Sequence, residues 1–277
     1  MPKIIQIEKK TLENLYLKQK LSSYQISKKL DCSQSLVMKK LKLLNINTRT
    51  IQEGKALTPP KYKRINFNGP LEEKAYLVGF RLGDLYVSKT HPNSPTVRVS
   101  SNSTKNEQIV LIRELFSSYG YVKEIGPDKN GATNTRSYLN NTFNFLIPKY
   151  KNIPGWILKS KKYSIAFLAG YIDAEGTFAI SNKNQPLFSI KSQDKDIMSD
   201  IQKYILPKIN IQTRLQFVRA EGSIMLGIRS NKDVFGIFVY NRKDLLSMLK
   251  ALLPYLKHKK RKGDALKVFN LINHVRS

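Results

Sequence analysis

Two stretches of this chain are copies of one another set 91 positions apart, and that duplication limits the folds it can adopt. Leu77-Val78-Gly79-Phe80-Arg81-Leu82-Gly83-Asp84 aligns with Leu168-Ala169-Gly170-Tyr171-Ile172-Asp173-Ala174-Glu175, so that Gly79 matches Gly170 (170 − 79) and Asp84 matches Glu175 (175 − 84). The register persists downstream. Val97-Arg98-Val99-Ser100-Ser101-Asn102 parallels Phe188-Ser189-Ile190-Lys191-Ser192-Gln193, and Asn102 and Gln193 each lie 18 positions beyond their acid. Helical periodicity leads into each acid from about Glu72 and about Tyr163. Further helices are expected over residues 105–119 and 195–206. Strands are expected over 121–125 and 137–147 in copy one, and over 213–219 and 223–230 in copy two. Each copy therefore reads helix, two strands, helix, two strands, helix. A period this long marks a duplicated half-domain and not a solenoid.

The segment before the repeat differs. Thr11 to Leu17 opens one helix, and Ser22 begins a second with Ile26 and Leu30 on its apolar face. Asp31-Cys32-Ser33 breaks it, and Ser33 caps a third helix carrying Leu36, Val37, Lys39, Lys40 and Leu41. Two short helices about a tight turn suggest a helix-turn-helix; a small packing bundle fits the same pattern. The expected division is a helical segment over 1–50, a basic linker over 51–70 punctuated by Pro59-Pro60 and Gly69-Pro70, a first half over 71–160 and a second over 161–277.

The 277 residues carry 48 Lys and Arg against 20 Asp and Glu, a formal net charge of +28. So large an excess repels itself in the folded state, and a polyanion that releases counterions on binding relieves it. Nucleic acid is the expected partner. No apolar run is long enough to cross a membrane, and the start lacks the apolar core of a secretory signal, so an intracellular location is expected. The single cysteine, Cys32, cannot form an internal disulfide.

Gly79 and Gly83 lie four apart and share a helix face, as do Gly170 and Ala174. Small-xxx-small faces let helix backbones approach closely. The expected partner of each helix is the other copy, which brings their C-terminal ends together and sets Asp84 beside Glu175. Two helix C-termini carry partial negative charge, and two carboxylates add to it. Such a grouping is unfavourable without a cation, and oxygen ligands select a hard divalent ion, Mg²⁺ first.

These residues resemble the LAGLIDADG homing endonuclease family. Residues 168–176 match its motif nearly throughout, and residues 77–84 match the variant ending in Gly-Asp; the resemblance runs from about Leu71 to the C-terminus. It implies a pseudo-two-fold α+β fold of two αββαββα halves with saddle-shaped antiparallel sheets, here preceded by the small all-α segment. It further implies metal ligation by Asp84 and Glu175 and by the backbone carbonyls of Gly83 and Ala174, with Mg²⁺, Mn²⁺ or Ca²⁺ in the site. Asn102 and Gln193 fall where the family orders active-site water. Lys259 falls where it places an active-site lysine in copy two, with Lys149 or Lys151 in copy one. Three positions depart from the pattern. Leu85 replaces the final Gly and bears on the helix exit. Arg81 replaces an apolar residue, and either tunes Asp84 or points to the sheet or solvent. Asp173 has Leu82 as its counterpart, so a helix-end hydrogen bond is expected of it and not a symmetric role.

Alternation along the strands turns Arg98 and Ser100 outward in copy one, and Ser189, Lys191 and Gln193 in copy two. Arg214 and Gln216 continue the polar face; Arg136, Arg229, Lys39 and Lys40 join the candidate DNA contacts. Arg and Gln can read base edges, whereas most lysines meet phosphate. The function implied is a monomeric, metal-dependent endonuclease making staggered cuts in a long double-stranded DNA site. The alternative is a binding protein of the same fold, a transcription regulator or an intron maturase, RNA being a partner only for the maturase. A regulator has no need of both acids. The scattered histidines, His91, His258 and His274, show no metal spacing.

Overall fold

The computed structural model describes residues 6–57, 62–92, 94–225 and 228–274, which fall into two compact units. The first comprises residues 1–61 with 91–95; the second holds the rest. No helix among the described residues is long and apolar enough to cross a membrane.

In the first unit α1 (Lys9–Leu12) runs into a wider π-type turn, Glu13–Lys18, followed by α2 (Ser23–Lys29), α3 (Gln34–Leu43) and α4 (Ile51–Leu57). The cap expected at Ser33 is present, and Ser22 adds a second. Ser22 Oγ accepts from Gln25 N at 3.1 Å while Gln25 Oε1 accepts from Ser22 N at 2.9 Å, a reciprocal pair that satisfies two free helix donors. Ser33 Oγ accepts from Leu36 N at 3.2 Å. Asp31 stands at φ +50, which turns the chain between α2 and α3. Leu12, Ile26, Val37 and Leu41 are fully buried and form a small core. Lys39 is exposed on α3 and Lys40 half-buried. The stretch expected as linker contains α4. Its start is the same device again, Thr50 Oγ1 accepting from Glu53 N at 3.2 Å while Glu53 Oε2 accepts from Thr50 N at 2.7 Å.

The second unit holds both copies. Copy one consists of α5 (Leu71–Asp84), β1 (Tyr86–Lys89), β2 (Val97–Ser103), α6 (Asn106–Phe116), β3 (Tyr121–Ile125) and β4 (Thr133–Leu139), then a 3₁₀ turn over Asn141–Leu146 and the short α7 (Gly155–Leu158). Copy two consists of α8 (Lys161–Glu175), β5 (Gly176–Ile180), β6 (Pro186–Ser192) and α9 (Lys195–Asp200), which winds on through a π-type turn and a 3₁₀ turn to Ile209. There follow β7 (Gln216–Arg219), a two-rung ribbon of β8 (Ile224–Met225) and β9 (Ile228–Arg229), β10 (Val234–Val239), α10 (Arg242–Leu252) and α11 (Lys259–His274). The two four-stranded antiparallel sheets have the same order, β1-β2-β4-β3 and β5-β6-β10-β7. This is the duplicated α+β architecture expected.

Three expected elements differ. Residues 137–147 are not one strand: β4 ends at Leu139, and Asn140 Oδ1 accepts from Thr142 N at 3.0 Å, which starts the 3₁₀ turn. The fourth strand of the second sheet is β10 and not 223–230, whose ends are polar and which folds back on itself as the β8–β9 ribbon. Register measures the difference. Ser100 pairs with Arg136, and Lys191 pairs with Gly236, so an offset of 91 (191 − 100) becomes 100 (236 − 136) between β6 and β10. Nine extra residues lie there, and they include the ribbon. Lastly, the closing helix of copy one is reduced to the 3₁₀ turn and α7.

The core is continuous across the copies, with α5 and α8 at its centre: Tyr76, Phe80, Phe167 and Tyr171 are essentially inaccessible.

Candidate active site

The motif helices meet as the small residues require. Gly79 faces the Phe167 carbonyl and Gly170 faces the Tyr76 carbonyl, so a methyl group on either glycine would collide with backbone. Each glycine thus meets the carbonyl three residues before the other. A side chain on Gly83 would strike the Ala174 methyl and stand 3.0 Å from Glu175 Cγ. The helix tips therefore adjoin, and Asp84 and Glu175 leave them side by side. Leu85 does not divert the exit: its backbone is extended (φ −107, ψ 135), as is that of Gly176 (φ −82, ψ 162).

Burial pushes both carboxyls up. Asp84 rises to about 6, opposed by a hydrogen bond from Gln108 Nε2 to Oδ2 at 2.8 Å and by the Arg261 guanidinium. Glu175 rises to about 7 through burial, then the charges of Asp84 and Asp194, with Arg261 again opposing. Neither Gln108, Asp194 nor Arg261 was singled out from the sequence.

A cleft opens beside each acid. The one at Asp84, about 260 Å³, is lined by Asn102, Gln108, His258, Lys260 and Arg261 among others. The one at Glu175, about 420 Å³, is lined by Lys149, Lys191, Gln193 and Asp194. Asn102 and Gln193 thus stand one beside each acid, both exposed at the strand ends. The basic residues cross over. Lys149 follows copy one and lines the cleft of copy two, whereas Lys260 and Arg261 open the last helix of copy two and line the cleft of copy one. Lys151 lines neither cleft.

Lys259, expected at the centre, lies elsewhere. Its ammonium pairs with Glu114 Oε1 at 3.1 Å on an exposed face. His258 and Arg261, three apart, share the helix side turned to Asp84, and Lys259 is rotated off it. Arg261 Nη2 donates to the Ala174 carbonyl at 3.2 Å.

Two buried charges flank the pair. Asp173, fully buried, accepts at Oδ2 from the Tyr76 hydroxyl (2.6 Å), Lys257 N (2.7 Å) and His258 N (3.0 Å), so it caps the chain entering α11. The expected helix-end hydrogen bond exists, but at the end of another helix. Arg81, 8% exposed, neither tunes Asp84 nor reaches solvent. It donates to the Leu146 carbonyl (Nε, 3.0 Å) and the Leu85 carbonyl (Nη1, 2.6 Å).

Two carboxylates at adjoining helix ends form an oxygen-only donor set, which suits a hard cation. The Gly83 and Ala174 carbonyls were expected to join them, and the Ala174 carbonyl is here engaged by Arg261. Among the described residues no group of three or more His, Cys, Asp or Glu could enclose a metal. The set therefore fits an open site that leaves positions for water and phosphate oxygens, not a closed cage.

The sheets alternate as expected. Val97 and Val99 are buried, while Arg98 and Ser100 are half-exposed on the outer face, with Arg136 beside Ser100 and Lys123 beside Arg136. Arg98 Nη2 contacts Ser88 Oγ at 3.3 Å, and Arg136 Nε donates to Asn134 Oδ1 at 2.6 Å. In the second sheet Ser189 and Lys191 face outward, and Gln216 is exposed on β7 across from Gly236. Gln193 lies just past the strand; Arg214 is exposed ahead of β7, and Arg229 is exposed on the β8–β9 ribbon. The strands also turn outward residues that the sequence reading passed over, Tyr86, Lys123 and Phe238, the last lying 5.8 Å beneath the Lys191 ammonium.

Residues 162–250 match the family model described as a LAGLIDADG-like domain. Among solved structures, I-DmoI in complex with DNA and Mn is 17% identical, with 66% of this chain and 96% of that chain covered and a TM-score of 0.46. I-WcaI bound to its DNA recognition sequence is 17% identical over 70% of this chain and 86% of that one, with a TM-score of 0.49. The meganuclease I-SmaMI bound to uncleavable DNA is 13% identical over 76% and 91%, with a TM-score of 0.46. No curated protein matches the sequence.

Proposed function

We propose, on the premise that this chain carries a LAGLIDADG-like domain in the second of its two structural copies, that it is a site-specific endonuclease cutting both strands of a long DNA duplex. The observation that carries this reading is the adjoining pair of half-buried carboxylates, Asp84 and Glu175, at the tips of α5 and α8 between two outward-facing sheets.

The sheets supply the DNA contacts. Arg98, Arg136 and Gln216 reach toward base edges in the major groove, and Lys123 and Lys191 lie along phosphate. Lys39 and Lys40 on α3 of the first unit add phosphate contacts. Asp84 and Glu175 hold divalent metal, Mg²⁺ by the hardness of their oxygens. A bound divalent ion neutralises phosphate charge and makes water nucleophilic at neutral pH. Around it this chain's own residues orient the reacting groups. Asn102 and Gln193 hold water beside each acid, while Lys149 on one side and Lys260 and Arg261 on the other offset charge that builds on the phosphate. Each strand is served by one cleft, so the single chain cuts both. An intracellular site of action goes with this reading.

The test is double-strand cleavage in Mg²⁺ by Asp84→Asn and Glu175→Gln. Each variant is expected to bind its duplex within a few-fold of the parent and to lose linear product by at least about a hundredfold. Undiminished cutting by either removes that acid from the centre. A chain lacking residues 1–45 is expected to bind with a flatter salt dependence, because phosphate contacts are lost.

A further inference from the structure

The two acids are held differently, and Gln108 makes the difference. It is the third residue of α6, 7% exposed, and its Nε2 donates to Asp84 Oδ2 at 2.8 Å. In copy two the third residue of α9 is Ile197, 1% exposed, and the repeat offset of 91 sets Ser199 (108 + 91) opposite Gln108; neither donates to Glu175. Among the described residues no side chain donates to Glu175, which meets instead the like charges of Asp84 and Asp194. A buried amide in the first turn of a helix has one clear use here: it occupies one carboxylate oxygen and fixes the plane of the other. Partners of this kind orient a ligating carboxylate and sharpen its hold on a metal. Nothing comparable fixes Glu175, whose longer side chain is also freer to turn.

We propose that Gln108 is a positioning residue for Asp84 alone, so that its loss slows cleavage of one DNA strand and spares the other. The inference rests on the endonuclease reading above. It makes the chain an ordered cutter: the strand served by the Asp84 cleft meets a preset carboxylate, and the other strand meets one that must be ordered by its ligands.

The experiment uses full-length protein and a duplex recovered from a randomised library by cleavage with the parent chain in Mg²⁺, the two strands carrying different dyes. Gln108→Met keeps the volume and removes the donor. Gln108→Asn keeps the amide but withdraws it by one methylene, and serves alone should the first fail to fold. Either variant is expected to slow one strand by about ten- to a hundredfold, the strand that Asp84→Asn also slows, and to leave the other within about twofold. Nicked duplex then accumulates. Ca²⁺ titration of the protein by calorimetry is expected to show weakened affinity by a similar factor. A role confined to stability would slow both strands alike and leave Ca²⁺ binding unchanged, and that result overturns the proposal. Should the parent chain cut no duplex, the endonuclease reading fails by itself, and the Ca²⁺ affinities alone decide whether Gln108 acts on Asp84.

Discussion

The two copies place opposite charges at neighbouring positions of their motif helices, Arg81 in α5 and Asp173 in α8, and both charges are buried. What differs is the chain each must meet. In copy one the returning segment ends a 3₁₀ turn and presents the Leu146 carbonyl, which needs a donor. In copy two the returning segment begins α11 and presents the N–H groups of Lys257 and His258, which need an acceptor. Helix ends expose carbonyls at one terminus and amides at the other, so the sign of the buried charge follows from which terminus comes back. The duplication preserved the fold of the copies and let the closing contact invert.

The largest expected effect comes from removing what the copies share. Gly79→Val or Gly170→Val forces side-chain atoms into the facing carbonyl and is expected to cost more than about 4 kcal/mol, among the severe core lesions. Thermal unfolding reads it, and an unchanged Tm for either variant would mean the helices do not pack on their glycines. Next comes the contrast itself. Asp173→Ala leaves two backbone donors and the Tyr76 hydroxyl without their acceptor in the core and is expected to cost about 3–5 kcal/mol. Arg81→Met leaves two carbonyls short of one donor each and is expected to cost about 1–3 kcal/mol. Chemical denaturation ranks the two, and the reverse order would undo the argument from helix polarity.

The smallest effect is a gain. Asp84 and Glu175 titrate near 6 and 7 in the folded chain against ordinary carboxyl values near 4. The folded chain therefore holds more protons than the unfolded one between about pH 4 and 7, and metal-free stability falls as pH rises through that window. Asp84→Asn and Glu175→Gln are expected to be more stable than the parent by about 1–2 kcal/mol at pH 8 in chelator, with the gain gone at pH 4. Excess Mg²⁺ is expected to stabilise the parent and not the variants. Parent and variants with the same pH profile would show that the pair is not strained by its own charge.

Much of this was legible because it was periodic or local. The offset of 91, the glycine faces and the capping Ser33 are patterns within a few residues or one repeat, and the structure reproduces each. Thr50-Ile51-Gln52-Glu53 is a local cap of the same kind, and its signal lay in a stretch read only for its prolines and charge. Other features were out of reach. Arg81 and Asp173 find partners 65 and 84 residues away, mostly backbone groups that no residue pattern advertises. Gln108 looks like any polar residue at the start of a helix. β10 was missed because nine inserted residues shift it out of the repeat register. Lys259 was misplaced because a run of four basic residues, Lys259 to Lys262, does not tell which of them faces the acids until the helix phase is known.

The exchange of glycine and carbonyl between α5 and α8 leaves neither copy a finished object. The innermost wall of each half is the other half, so the unit should melt in a single step despite its two sheets. A half expressed separately would bear an open apolar groove notched by glycine, and the surface best matched to that groove is the same groove on a second molecule of itself. Pairs of identical halves are thus the natural fate of a divided chain, and such a pair would carry two aspartates or two glutamates where the intact protein has one of each.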